Sequence, residues 1–310
     1  MINALRYSNF GGIEQLKWEK IESPEVLAGQ IRVRVTAVSI NPMDWLIIGN
    51  PQMAQQFGVQ LPQKFGYDFA GIVDKTSQGV TAYKVGDRVF GTTYDGAASE
   101  QIILPVKSDS RHRIVKTPDF ITDEIASSLG VAGMTAANCL NTIKLNSDDT
   151  VLIGGAAGGV GVFTVQLAKI RGARVIGTSS PSTFDFLRRL GAEPIAYGDQ
   201  LLTNLQQTEA PKITAAIDLY SHDVVNVALE LGVPKEKITS IIMYPPLPEG
   251  IKTSTGGAAT EEDMKVILEA IQTKQLVVLI AEKFSIQDYE EAIKTQMARH
   301  THGKIVMTLS

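Results

Sequence analysis

From Thr150 to Ala168 the chain carries a single acidic-free, base-free run, and this stretch limits the possible folds more than any other. A run of that length raises the question of a membrane span. Its composition argues otherwise. Gly154, Gly155, Gly158, Gly159 and Gly161 crowd the first half, and Thr164 and Gln166 follow. A spanning helix is almost uniformly apolar and uses glycine for close helix contact. The sequence offers no second candidate span.

The stretch divides better into three pieces. VLIGG (151–155) is a short apolar run rich in β-branched residues, as in a buried strand. VGVFTVQLAKIRG (160–172) has apolar residues at helical spacing and stops at Gly172. RVIGTSS (174–180) reads as a second strand. Between first strand and helix lies Ala156-Ala157-Gly158-Gly159-Val160-Gly161, a G-x-G-x-x-G pattern with alanine in the first place. There, small residues let the backbone approach a pyrophosphate, whose charge meets the amides and dipole of the helix N-terminus. The alternative is a merely tight turn. No Lys-Ser or Lys-Thr follows the last glycine, so the loop is not of the Walker type.

The end of the second strand chooses the dinucleotide. An acid there would hold the ribose 2′-hydroxyl of NAD. This chain has Ser179 and Ser180, which favours NADP, although both serines could simply open a turn before Pro181. Arg188 and Arg189 lie well along the next helix, and Tyr197, after EPIAY, could add a hydroxyl.

The rest of the composition narrows the class. The 310 residues are 44% hydrophobic and 20% charged with net charge −4, which suits a globular protein and gives no basic face for nucleic acid. One cysteine, Cys139, excludes an internal disulfide and points to a reducing cytoplasm. The N-terminal MINALRYSNFGGIEQL lacks the pattern of a secretory signal. Strand patterns such as IRVRVTAVSI dominate the first 120 residues, and strands and helices alternate from about 125 to 245. KFSIQDYEEAIKTQMARH reads as an amphipathic helix with Ser285 as N-cap.

With these pieces in order, the chain resembles the medium-chain dehydrogenase/reductase superfamily, in its zinc-free branch of quinone oxidoreductases and enone reductases. VSINPMDW (38–45), GYDFAGIV (66–73), VGDRVFG (85–91), GVAGMTAANCL (130–140), AAGGVG (156–161), FDFLRRLGA (184–192) and HTHGKIVM (300–307) carry the resemblance. It implies an α/β protein, with a GroES-like β-rich catalytic domain over 1–122 and 266–310. A Rossmann domain, a doubly wound parallel sheet binding NADP, would span 123–265.

The resemblance also makes zinc a question. Asn41 stands in the family place of a cysteine ligand, and Tyr67 with Asp68 in that of a His-Glu pair. Zinc needs Cys, His or carboxylate ligands, so no metal is expected. His300 and His302 read as a loop entering the last strand. A plain ketone would then need a positioned acid, and the Tyr-x-x-x-Lys solution is absent from all eight tyrosines. Conjugated substrates demand less, because the arriving charge is delocalised. By resemblance Asn41 and Tyr67 are the candidate catalytic residues, and Asn41 and Thr135 lie by the nicotinamide. Asn41 could instead form a turn before Pro42, Asp44 could orient that loop, and Tyr67 could be core. Tyr220 and Ser221 follow the strand TAAIDLY and Met243 and Tyr244 the strand SIIMY, at strand ends that open on the cofactor crevice of any doubly wound sheet.

Two departures from the family stand out. WLII (45–48) is apolar where relatives carry Tyr or Lys at the place of Leu46 and Arg at that of Ile48, which suggests a greasier pocket wall. Ser221-His222-Asp223 replaces a common glycine pair. The expected activity is NADPH-dependent reduction of quinones or α,β-unsaturated carbonyls, with a small-molecule substrate and no nucleic-acid or membrane partner. The alternative is an NADPH-binding sensor with little turnover. The resemblance further implies a homodimer, with SIIMY as its pairing edge.

Overall fold

The computed structural model describes residues 1–109, 111–207, 212–243, 245–299 and 301–309. The chain divides into two compact units, Met1–Val131 with Ile280–Ser310, and Ala132–Leu279. The sequence places these divisions at 122/123 and 265/266. The helix Asp123–Ser127 packs on the strands Gln30–Ile40 and Asp68–Thr76 and so stays with the first unit. The helix Glu261–Gln272 buries Met264, Ile267 and Ala270 and packs against Met134–Thr142, which keeps it whole in the second.

The first unit is β-rich. A seven-stranded sheet runs in the order Ile280–Ser285, Lys304–Thr308, Gln30–Ile40, Asp68–Thr76, Arg88–Thr93, His112–Lys116, and Gln101–Pro105 also pairs with Gln30–Ile40. A small sheet joins Lys17–Ile21, Ile2–Tyr7 and Gln63–Lys64. Period-two patterning explains the long central strand. Ile31, Val33 and Val35 are buried on one face, while Arg32 on the other pairs with Asp74 at 2.9 Å. Phe65, Phe69, Ile102, Leu104 and Met307 complete that core. Ser285, read as an N-cap, ends a strand, and its hydroxyl accepts the N–H of Gln287 in the short turn before the helix Tyr289–Met297.

The second unit holds a six-stranded parallel sheet. Its order is Glu193–Ala196, Arg174–Ser179, Thr150–Gly154, Ala215–Asp218, Ile238–Ser240, Lys252–Thr253. In sequence order this is 3-2-1-4-5-6, the doubly wound arrangement with its switch beside the first strand. Thr150–Gly154 is buried throughout, as a strand covered on both faces must be. The helix Gly161–Ile170 carries Gln166 inside the packing, and its amide is fully used. Its Oε1 accepts from Val277 N–H at 2.8 Å, and its Nε2 donates to Val277 O at 3.0 Å and Val162 O at 2.7 Å. Gly172 and Gly191 end their helices at φ +83° and +91°, where a side chain would be strained. Among the described residues no helix is long and apolar enough to cross a membrane.

SIIMY is not a strand over its length, and this corrects the sequence reading. The strand ends at Ser240, whose hydroxyl accepts the N–H of Ile242 and turns the chain away. Lys252–Thr253 pairs with Thr239 and Ser240 and forms the sheet edge instead.

Candidate functional site

The parallel sheet gathers most of the expected dinucleotide residues at one end. Asp218 lies opposite both Gly154 and Ser240, and Ser179 lies opposite Ala196. The segments that leave these strands therefore emerge side by side at the carboxyl edge. They carry Ala157, Gly158, Gly159, Val160 and Gly161, then Ser180, Tyr197, Tyr220 and Ser221, and Met243 three residues beyond Ser240. Tyr244 lies outside the described residues, as does His300.

The glycine turn is shaped by close backbone approach. A Cβ on Gly161 would stand 2.2 Å from Gly155 O and 2.6 Å from Ala156 C. Gly155 has φ +68°. Alanine is tolerated at 156 because the neighbouring strand supplies Gly177, where a Cβ would meet the Ala156 methyl at 2.8 Å. Among the described residues the N–H groups of Ala157, Gly159, Val160 and Gly161 donate to no protein acceptor, whereas Gly155 N–H is taken by Thr178 Oγ1 at 3.3 Å. Free amides at the start of a ten-residue helix form a cradle for an anionic group.

At the next strand end the two serines differ. Ser179 is 6% exposed and its hydroxyl donates to Ser180 O. Ser180 is half-buried, and its hydroxyl lies 2.9 Å from Ser182 Oγ and 3.4 Å from Thr183 Oγ1. The Ser179–Ala196 register sets Ser180 beside Tyr197, which is 63% exposed. Arg188 is committed elsewhere, to Asp185 at 2.7 Å and over the Phe184 ring. Ser182 and Thr178 were missed by sequence reasoning; a hydroxyl-rich TSSPST run was the available signal.

Tyr220 and Ser221 are held by a residue the sequence reading passed over. Asp218, buried at the strand end, accepts the N–H groups of Tyr220, Ser221, Val224 and Val225 at 2.9–3.4 Å. His222 Nε2 donates to Ile242 O at 3.4 Å and ties this turn to the segment of Met243. Thr135 sits in the first turn of the helix Met134–Thr142 and is buried.

The first unit holds the other candidates. Asn41 ends the strand Gln30–Ile40 and caps the helix Pro42–Gly49. Its N–H donates to Asp44 Oδ2 at 2.6 Å, so Asp44 orients the turn as half of a capping box. The Asn41 side chain is 3% exposed. Its Nδ2 donates to Asp68 Oδ2 at 2.8 Å and its Oδ1 accepts from Lys304 Nζ at 2.5 Å. Lys304 also donates to Ile40 O, and Asp68 Oδ1 accepts Val131 N–H at 2.8 Å. In the sequence Lys304 shows only as the head of an apolar closing strand, KIVM, and a lysine in that place is the one signal of its burial.

Tyr67 lies in an apolar cluster with Ile47 and Ala54, 5% exposed, its ring edge-on to Tyr94 at 5.0 Å. Burial drives its phenol well above the usual tyrosine range. Of the WLII segment, Ile47 packs in this cluster and Ile48 in the main core, while Leu46 is exposed. The greasy wall expected from these residues is thus mostly interior packing.

An amide, a buried neutral phenol and a carboxylate with both oxygens hydrogen-bonded, beside a buried ammonium, do not make a donor set for zinc. Among the described residues no group of three or more His, Cys, Asp or Glu side chains is placed to hold a metal ion.

Two carboxyl groups share this cluster with one amine, and burial lowers the Lys304 amine as it raises both acids. Burial pushes the Asp44 carboxyl up to about 8, with the Asp68 charge adding and the Asn41 N–H and Lys304 opposing. Asp44 Oδ1 is buried without a partner, so a proton there disrupts no bond. Burial also raises Asp68, to about 6, against the pull of Lys304. An acid whose folded pKa lies above its unfolded value favours folding at low pH, and that stability is lost as pH rises towards the folded value. Asp44→Asn should therefore gain on the wild type between pH ~5 and ~8, by on the order of 2–4 kcal/mol. Urea unfolding of both proteins across that window measures it; parallel curves would show that Asp44 does not titrate there.

Comparison with known proteins follows the same lines. Residues 27–140 match the alcohol dehydrogenase GroES-like domain family. A quinone oxidoreductase of Pseudomonas aeruginosa is 31% identical over 246 residues, covering 77% of this chain and 73% of that protein. A chloroplastic quinone oxidoreductase of Triphysaria versicolor is 29% identical over 99% of this chain and 98% of its own. The solved structure of the quinone oxidoreductase from Coxiella burnetii has a TM-score of 0.86 at 26% identity, covering 100% of this chain and 99% of that one.

Proposed function

The chain belongs to the quinone oxidoreductase branch of the medium-chain dehydrogenase/reductase superfamily, and from that membership we propose an NADPH-dependent, zinc-independent reductase of quinones or α,β-unsaturated carbonyls. Membership makes it an NAD(P)-dependent oxidoreductase. The finer reading is carried by the carboxyl edge of the parallel sheet. The cradle of free amides at 157–161 suits the pyrophosphate. Hydroxyls of Ser180 and Ser182, with Tyr197 alongside, suit a 2′-phosphate where an acid would repel it. Bound there, the reduced nicotinamide supplies the hydride. The protein's share is to orient the reactants and exclude water. Thr135, Tyr220, Ser221 and Met243 would bear on the nicotinamide half, and Asn41 would offer a neutral donor to the substrate. Tyr67, buried as it is, would shape the site more than donate.

Zinc independence rests on the donor set at Asn41, Tyr67 and Asp68. Conjugated substrates fit that site, because their reduction spreads the arriving charge and needs no strong acid. We place the protein in the cytoplasm as a homodimer, paired through an edge other than SIIMY.

The test is oxidation of NADPH and, in parallel, NADH with a panel of quinones and enals, followed by loss of nicotinamide absorbance. Turnover with a clear preference for NADPH is the expected result. Tight NADPH binding without turnover on any member of the panel would replace this reading with that of a sensor. Zinc in stoichiometric amount in active protein would end the zinc-independent reading, and a monomer in sedimentation would end that of the dimer.

A further inference from the structure

His112 begins the strand His112–Lys116 and pairs with Thr93 at the end of the strand Arg88–Thr93. Its imidazole is held from both sides. Nδ1 stands 3.0 Å from Asp109 Oδ1, and Nε2 stands 3.0 Å from Asp95 Oδ2. A neutral imidazole has one N–H and one bare lone pair, whereas an imidazolium donates through both nitrogens. An ionised carboxylate accepts and does not donate. Two carboxylates on opposite ring nitrogens are therefore satisfied only by the charged ring. The His112 side chain is 12% exposed, while both acids are more than half exposed. The Asp95 hydrogen bond holds the His112 proton more tightly than in an ordinary histidine, with Asp109 adding to it against the effect of burial. Asp95 falls in return to about 2, again chiefly through His112.

The two contacts differ in what they join. Asp109 lies three residues before His112, and its Oδ1 also accepts the N–H groups of Arg111 and His112 at 2.7 and 2.8 Å. That contact is local and fixed by the backbone. Asp95 lies 17 residues from His112, beyond the end of the paired strand. Its other oxygen accepts Arg111 Nη2 at 3.1 Å, so Asp95 gathers two cations. Arg111 lies over the Tyr94 ring at 5.7 Å, and its Nη1 stands where a Cβ on Gly58 would meet it at 3.2 Å. Tyr94 N–H donates to Arg111 O at 3.0 Å, and its ring meets Tyr67 at 5.0 Å and Phe57 at 6.3 Å. The other charges nearby are Arg113, which acts on Tyr94, and Lys64, whose amine burial lowers and the Asp95 charge partly restores. With His112 protonated, two anions meet two cations; without its proton one anion is in excess.

We propose that His112 is a pH-operated crosslink, closed as the imidazolium and opened by loss of one proton, which braces Asp95 and Arg111 against the Tyr94 ring. On deprotonation the remaining hydrogen stays on Nδ1, because Asp109 is fixed there by two backbone N–H groups. Nε2 then turns a bare lone pair towards a carboxylate, and that contact opens. The Asp95 carboxylate is at the surface and rehydrates. It keeps only Arg111, itself 40% exposed, and exposed pairs of this kind contribute little in water. The Tyr94 turn loosens against Tyr67. A histidine held above its unfolded value stabilises the fold fully below about pH 6.5, and that stability is lost as pH rises through the folded value. None of this depends on the reductase reading.

The test is an NMR titration of the full chain, with isotope-labelled histidine nitrogens, from pH ~5 to ~9. Exchange of the Tyr94 N–H is measured over the same range and corrected for its intrinsic pH dependence. His112→Gln identifies the His112 signal among the four histidines. The His112 midpoint should lie above the ordinary value of about 6.5, and Asp95→Asn should lower it more than Asp109→Asn does. Above the midpoint the ring should carry its hydrogen on Nδ1. Protection of the Tyr94 N–H should fall about tenfold as pH rises through that midpoint, as loss of one charge-assisted hydrogen bond would bring. In His112→Gln, which carries no charge at any pH, the step should be absent. Where His112→Gln fails to fold, Asp95→Asn, a change at a surface carboxylate, serves both purposes. A midpoint at or below ~6.5, or a hydrogen on Nε2 above it, overturns the crosslink. Tyr94 protection that does not follow the His112 midpoint overturns the bracing of Tyr94.

Discussion

Gly161→Val is expected to abolish dinucleotide binding. The new side chain would begin 2.2 Å from Gly155 O and 2.6 Å from both Ala156 C and O. These are backbone atoms, so no side chain can swing aside. Either the glycine turn moves away from the helix or the helix moves away from the sheet. Ala156 is pinned against Gly177 and the strand Thr150–Gly154 is buried throughout, so the strain falls on the turn and its free N–H groups. Displacing such a cradle by ~1 Å costs on the order of 100-fold. Fluorescence titration with NADPH measures the loss, and thermal unfolding shows whether the fold survives. Gly172→Ala, at the far end of the same helix with φ +83°, should instead cost about 1 kcal/mol of stability and leave binding unchanged. Normal affinity in Gly161→Val would mean that the anion does not lie on this turn.

Ser180→Asp is expected to invert the cofactor preference. Ser180 stands 19 residues after Gly161, close to where an acid holds the ribose in NAD enzymes. Its side chain is the more accessible of the serine pair, since Ser179 is buried and bonded to the Ser180 carbonyl. A carboxylate ~4 Å from a 2′-phosphate is repelled by roughly 4 kcal/mol at a protein surface, and the same carboxylate accepts the 2′-hydroxyl of NADH. The ratio of kcat/KM for NADPH to that for NADH should fall by about 100-fold or more. Tyr197→Phe should lower it by less, because it removes one hydroxyl and adds no charge. An unchanged ratio in Ser180→Asp would place the 2′-phosphate elsewhere.

Both predictions rest on local sequence for one reason. The strand–turn–helix–strand unit is local in sequence, and its steric demands fall on consecutive residues. The fold class was legible in the same way, from alternating strands in the first third and βα alternation later. Where the sequence reading erred, local pattern lost to tertiary circumstances. SIIMY has the apolar character of a strand, but Ser240 takes the N–H of Ile242, and Lys252–Thr253 pairs with Thr239 and Ser240. The apolar WLII segment resembles a pocket wall, but helical phase turns Ile47 and Ile48 inward.

The sequence by itself determined the glycine turn, the parallel sheet and the lack of Cys or His at 41 and 67, because each depends on residue type at short spacing. Only the tertiary structure decided what surrounds Asn41. Lys304 lies 263 residues from it and Asp68 lies 27 away, and three strands must pair before their side chains meet. A buried charge has no meaning along an extended chain; its cost and its partners exist only once water has been excluded. The same holds for Asp218, whose carboxylate becomes the anchor of Tyr220 and Ser221 only when the strand end and the following helix close around it.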